Sequence, residues 1–286
     1  LLFFFSLYMP VVGMLFGVLA PLPLMTVCLR MKWLSGVIAV IFAGLLIGVA
    51  IAPIISLYFF VQFGVLALVS VYLMEKRASF GMVMLVSSLA VMSGFLLLIG
   101  IQAAFTNQGF FEALRKPLEK DITEMFKTYP GFTGPESQDT VKMFKKMVSW
   151  LVVLVPSLIV VGSWAILLMN FYFLDKFHLV SRGSILKYYR LNRWRAPDFL
   201  IWLVILPGFA VFLFHGMLRG FSLNILIASL TIYFFQGLCV INFYLDRKNA
   251  PPFLKLAIYF ILFVIQIVAL LVLAMGLLDM WMDFRR

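Results

Sequence analysis

The chain has 286 residues, of which 64% are hydrophobic, 16% aromatic and 12% charged. Soluble domains carry about 25% charged residues, and a fold of this length could not hide so much apolar surface from water. Secreted scaffolds, disordered tails, soluble α/β enzymes and nucleic-acid binders are therefore disfavoured, and the net charge of +11 reads as Lys- and Arg-rich loops beside anionic lipid.

About 20 apolar residues carry a helix across the hydrocarbon core. Runs bounded by charge or proline cover residues 1–29, 33–52, 54–74, 80–105, 147–174, 199–217, 221–245 and 254–278. The expected fold is all-α: a polytopic transmembrane helical bundle of eight segments in one integral membrane domain, 1–286. The first run is too long for one upright helix and too short for two. Pro10, Pro21 and Pro23 interrupt it, and a helix ending near Pro10 would raise the count to nine. The opening LLFFFSLYMP has no basic region or cleavage site, so it reads as the end of a membrane helix rather than a signal peptide. PLPL at Pro21–Leu24 is either a broken segment near a site or a proline-kinked helix.

The run 33–52 carries Gly36, Gly44 and Gly48 on one face, and Ala39 and Ala43 as an AxxxA pair on an adjacent face. Small residues let helix backbones approach closely, either within the subunit or against another membrane protein. Residues 106–146 form a mixed loop with seven basic and six acidic residues. Its first half repeats Phe110, Leu114, Leu118, Ile122 and Met125 at helical spacing. That pattern suits an interfacial amphipathic helix or a lid, with a plain connection as the alternative. YPGFTGP then marks a turn, and a second short helix over 138–146 leads into the next span.

The connection 175–197 holds Lys176, Arg182, Lys187, Arg190, Arg193 and Arg195, interleaved with Tyr188, Tyr189 and Trp194. Rings at headgroup level with cations on anionic lipid suit a cytoplasmic interface, and docking of a cytoplasmic partner is the other use. Basic-rich and basic-poor turns alternate along the chain, so the basic loops are expected inside. The 106–146 loop and the C-terminus are then expected outside.

The sequence offers little catalytic chemistry. His178 and His215 fall on opposite sides by this orientation, so a shared metal site is not expected. No zinc-protease, phosphate-loop or serine-elbow motif occurs. Cys28 and Cys239 sit in apolar runs and read as packing thiols. No enzyme activity, metal or cofactor is expected. Uncharged polar residues within the runs include Gln62, Gln102, Asn170, Asn224, Gln236, Asn242 and Gln266. Each either bonds a ligand or bonds a neighbouring helix. In Gln236-Gly237 an amide handle adjoins an open backbone.

Five stretches together resemble the YybS-like family of bacterial inner-membrane proteins, a domain of unknown function. They are APLPLMTVCLRMKWLSG, VPSLIVVGSWAILLMNFYFLDKF, RWRAPDFLIWL, FQGLCVINFYLDR and MGLLDMWMDFRR, in that order along most of the chain. Arg30-Met31-Lys32-Trp33 departs from the family's usual basic residue followed by glycine. The family is distantly similar to the substrate-binding S components of energy-coupling-factor transporters. These dock on a coupling subunit driven by ATPases through a face of the form that Ala39 and Ala43 present.

The resemblance implies a solute-binding or transport protein of the bacterial inner membrane. A neutral or amphipathic ligand would sit between helices, with Pro21, Pro23, Gln62, Gln102, Asn224 and Gln236 as candidate lining residues. Expected partners are membrane lipids and either other membrane subunits or a coupling ATPase module. The alternatives are a non-catalytic scaffold subunit and, third, a lipid-handling protein acting near Arg190–Trp194.

Overall fold

The computed structural model describes residue 3 and residues 16–31, 33–128, 135–176 and 194–285, and nearly all of these are helical. The helices are α1 (Pro21–Arg30), α2 (Trp33–Ala50), α3 (Pro53–Glu75), α4 (Phe80–Thr106), α5 (Phe110–Thr128), α6 (Pro135–Lys176), α7 (Trp202–Leu213), α8 (Met217–Arg247), α9 (Pro252–Val264) and α10 (Gln266–Met282). No strand occurs among the described residues. Tight turns follow α3, α4, α8 and α10, each using one residue with positive φ: Arg77, Asn107, Asn249 and Asp283. The left-handed residue lets the chain leave the helix while capping its last carbonyls.

Five helices, α2, α3, α4, α6 and α8, are long and apolar enough to cross a membrane. A sixth span results if α9 and α10, bent by 100° at their junction, count as one. The described residues thus do not reach the eight or nine segments expected from hydropathy. The reason is length: the runs 1–29 and 199–217 yield only the shorter apolar helices Phe16–Arg30 and Asp198–Leu213. Residues 4–15 of the first run lie outside the described residues, as do 129–134 and 177–193.

The 42-residue α6 replaces the separate short helix expected over 138–146. At 1.5 Å per residue it is roughly 63 Å long against a hydrocarbon core of about 30 Å. Its first third therefore projects beyond the core. There it pairs with α5, whose Ala113 packs with Ile99 and Ala103 of α4.

Side-chain pairs fix how the helices run. Val40 of α2 meets Gly64 of α3, and Ser56 Oγ donates to the Gly44 carbonyl at 2.6 Å, so α2 and α3 are antiparallel. Trp164 of α6 donates its indole N–H to Ser88 Oγ and to the Met84 carbonyl, both at 3.0 Å, and Phe171 meets Phe80. Hence α4 and α6 are antiparallel too. Asn224 binds α8 to α6, donating to the Val153 carbonyl and accepting from the Ser157 N–H, both at 2.8 Å. Further along, Trp164 meets Phe235, so α6 and α8 run the same way. One core of buried Met25, Leu66, Val71, Val91 and Leu167 lies among α1, α3, α4 and α6.

The closest approach in the bundle is between α8 and α10. A Cβ on Gly276 would overlap the Tyr233 carbonyl, and one on Gly237 would overlap the Val272 carbonyl. Further on, Tyr244 Oη donates to the Phe284 carbonyl at 2.7 Å. The glycine contacts mark the crossing of the two helices, and the Tyr244 bond places the end of α10 beside the last turns of α8. The chain therefore ends beside Tyr244 and Trp194, at the end of the bundle that holds Lys76, Lys176 and Arg247. This corrects the expectation that the C-terminus lies opposite the basic connection. The hydropathy count took 254–278 as one straight crossing, whereas the structure bends it by 100° at Ile265.

Candidate functional site

A cavity of about 450 Å³ opens between the start of α1, the second half of α2 and the first turns of α3. Pro23 and Leu24 line it from α1, Ala43, Leu46 and Ile47 from α2, and Phe59 from α3, with Phe3 beside them. Every lining side chain among the described residues is hydrocarbon. The local sequence explains the shape. Pro21 and Pro23 open α1, where the missing N–H groups have no helical partner to lose. Residues 16–18 are helical too, with a turn at 19–20, so PLPL restarts the helix after a break within Phe16–Arg30. Gly44 and Gly48 draw α2 onto Ser56 of α3, which leaves the neighbouring Ala43 face open.

The six residues expected to line a ligand site do not converge. Pro23 is in the cavity wall, and Pro21 is buried beside it. Gln62 is half-buried in the π-helical turn of α3, Phe60–Val65. Gln102 is exposed on α4. Asn224 spends its amide on α6, as above, and on the Gly220 carbonyl at 2.8 Å. Gln236 is buried and joins two other parts of the chain. Helix-to-helix bonding accounts for Asn224 and Gln236. In the 106–146 segment, α5 packs on α4 and α6, and none of its described residues lines the opening.

The small-residue faces of α2 are occupied from within. A Cβ on Gly36 would overlap Cys28 Sγ, and Gly44 and Gly48 sit against Ser56. Ala39 and Ala43 are half-buried against the core. Of the cations assigned to headgroups or a partner, Arg182, Lys187, Arg190 and Arg193 lie outside the described residues. Arg195 is described, and its guanidinium donates to the Met280 carbonyl at 2.6 Å and meets Asp198 at 3.5 Å.

Sequence reasoning missed the most elaborate polar constellation. Asp279 of α10 is fully buried. Its Oδ2 accepts from Arg285 Nη2 at 2.5 Å and Gln236 Nε2 at 2.9 Å, and its Oδ1 accepts from the Phe284 N–H at 3.1 Å. Gln236 Oε1 accepts from the Ala196 N–H at 3.1 Å, and Arg285 Nη1 donates to the Trp194 carbonyl at 2.6 Å. Trp194 in turn packs edge-on to Phe80. The signal in the sequence was a lone acid inside an apolar run, costly unless paired. The pair was hidden because positions 279 and 285 do not share a helix face. Asp283, at positive φ, ends α10 and folds Arg285 back. Arg285 balances the charge of Asp279, and two further donors hold both of its oxygens. Among the described residues no three His, Cys, Asp or Glu side chains gather as metal ligands.

The geometry offers two distinct features, a hydrocarbon-lined cavity and an ionic junction at the basic end. The chain matches no curated protein and no solved structure. A family described as predicted membrane protein (DUF2232) matches residues 1–280, and the chain belongs to that family of membrane proteins.

Proposed function

We propose that this protein is a solute-binding or transport component of the bacterial inner membrane, without an ATPase or catalytic activity of its own. It holds an apolar or amphipathic small molecule in the cavity among α1, α2 and α3. The observation that carries the reading is the cavity itself. At about 450 Å³ it falls within the roughly 300–1,000 Å³ typical of ligand sites. Its hydrocarbon walls favour a ligand with an alkyl or ring portion over a charged solute. The proposal keeps the likeness to S components, with a coupling module as partner and basic loops facing the cytoplasm. It also keeps the 106–146 segment outside, and further membrane segments within the N-terminal run.

The test is purification in mild detergent, followed by mass spectrometry of small molecules and proteins. A retained apolar molecule in stoichiometric amount, with ATPases in the eluate, supports the proposal. An empty cavity and no ATPase partner would sink it.

A second reading, a scaffold subunit, draws on the projecting helices. Phe111 and Leu118 of α5 are exposed there, outside the apolar runs. Recovery of stable, non-ATPase membrane subunits in the same eluate, with no bound solute, would favour it.

A further inference from the structure

We infer that α9 and α10 form a re-entrant hairpin, which enters and leaves the membrane at the basic end and is latched there by Arg285. The inference does not depend on the proposed ligand.

The entry point is set by α9. Its first turn holds Lys255, whose ammonium meets Asp246 at the end of α8, 2.5 Å away. One turn later Tyr259 Oη lies 3.4 Å from Asn242 Oδ1. The contacts step backwards along α8, so α9 heads away from the basic end. The exit point is set by the end of α10, where the Phe284 carbonyl meets Tyr244 and Arg285 meets the Trp194 carbonyl.

Neither arm is long enough to cross. The 13 residues of α9 and 17 of α10 give roughly 20 and 26 Å, against a core of about 30 Å. A bend at membrane depth must satisfy its own backbone. At its centre, the Ile265 N–H donates to the Ile261 carbonyl at 2.8 Å, and the Ile265 carbonyl accepts from Val268 at 3.0 Å and Ala269 at 3.3 Å. The returning arm is held by backbone-close packing at Gly237 and Gly276. At its end, Arg285 joins Asp279 to the Trp194 carbonyl, and Arg195 joins the Met280 carbonyl. Two arginines thus tie the hairpin to the last residues of the basic connection.

The test is sided labelling of single cysteines in the full chain, with Cys28 and Cys239 changed to Ser. Lys248→Cys marks the basic end, His215→Cys the opposite end, and Met282→Cys the end of α10. All three positions are exposed. A membrane-impermeant maleimide applied to oriented vesicles should label 282 from the same side as 248, with 215 labelled only from the other side. Labelling of 282 together with 215, or from neither side, overturns the inference. Trp281→Cys, equally exposed, reports the same point if the 282 variant fails to accumulate.

Discussion

Asp279 and Arg285 form an ion pair across the end of α10, 2.5 Å apart, with side chains only 0% and 7% exposed. Removing one partner leaves the other charged, desolvated and unpaired. Breaking a buried pair from one side costs about 3–5 kcal/mol, while replacing both partners with apolar groups is often neutral. Arg285→Met alone should therefore lower the melting temperature in detergent far more than Asp279→Leu with Arg285→Met. The check is a double-mutant cycle read by fluorescence-detected size exclusion after heating. Equal losses in the single and double variants would mean the pair adds nothing beyond packing.

The α8–α10 contact predicts a different pattern among glycines. Gly276→Ala places a methyl on the Tyr233 carbonyl and Gly237→Ala one on the Val272 carbonyl. Both obstacles are backbone, so the helices must part, at a cost of about 1–3 kcal/mol. Gly162→Ala and Gly100→Ala meet nothing within 4 Å. These should be neutral or stabilising by up to about 1 kcal/mol, since Gly is costly in a helix interior. The same heating assay separates the two classes.

Much of this bundle was legible in the sequence, and the failures have physical causes. Apolar runs located α2, α3, α4 and α8 and the end of α6 to within a few residues, because crossing lipid requires uninterrupted hydrocarbon; they missed the start of α6 at Pro135. The spacing of Phe110 and Leu114 located α5. Hydropathy does not encode direction, however. It could not show that the run 254–278 bends by 100° at Ile265, or that Phe16–Arg30 and Asp198–Leu213 fall short of a full span. Nor can composition tell an amide that bonds a ligand from one that bonds a helix. Asn224 and Gln236 fitted either use, and in the structure both bond to other parts of the chain. The cavity, made of alanine, proline and aliphatic walls, carries no residue type that marks a site.

Asn224 tests that distinction. It makes three hydrogen bonds at 2.8 Å, to Val153, Ser157 and Gly220. Interhelical bonds in membranes are worth about 0.6 kcal/mol on average and up to about 1.7. Asn224→Leu should lower the melting temperature measurably and leave retention of a bound small molecule in the surviving folded fraction unchanged. Loss of retention without loss of stability would make Asn224 a ligand contact instead.

The cavity makes the opposite demand, that a substitution remove binding and spare the fold. Ala43 is half-buried and lines the opening from α2, so a larger side chain there can extend into empty space rather than into packed core. Ala43→Phe should fill part of the roughly 450 Å³ and keep the melting temperature within about 1 kcal/mol, because added apolar contact offsets lost rotamer freedom. Any apolar molecule that copurifies with the parent should fall several-fold in the variant. Gln102→Ala, on the exposed surface of α4, serves as the control and should retain it fully. If Ala43→Phe keeps the same bound molecule at the same stoichiometry, the ligand sits elsewhere and the space between α1, α2 and α3 is only a packing defect. If Gln102→Ala loses it while Ala43→Phe does not, the binding surface is on α4.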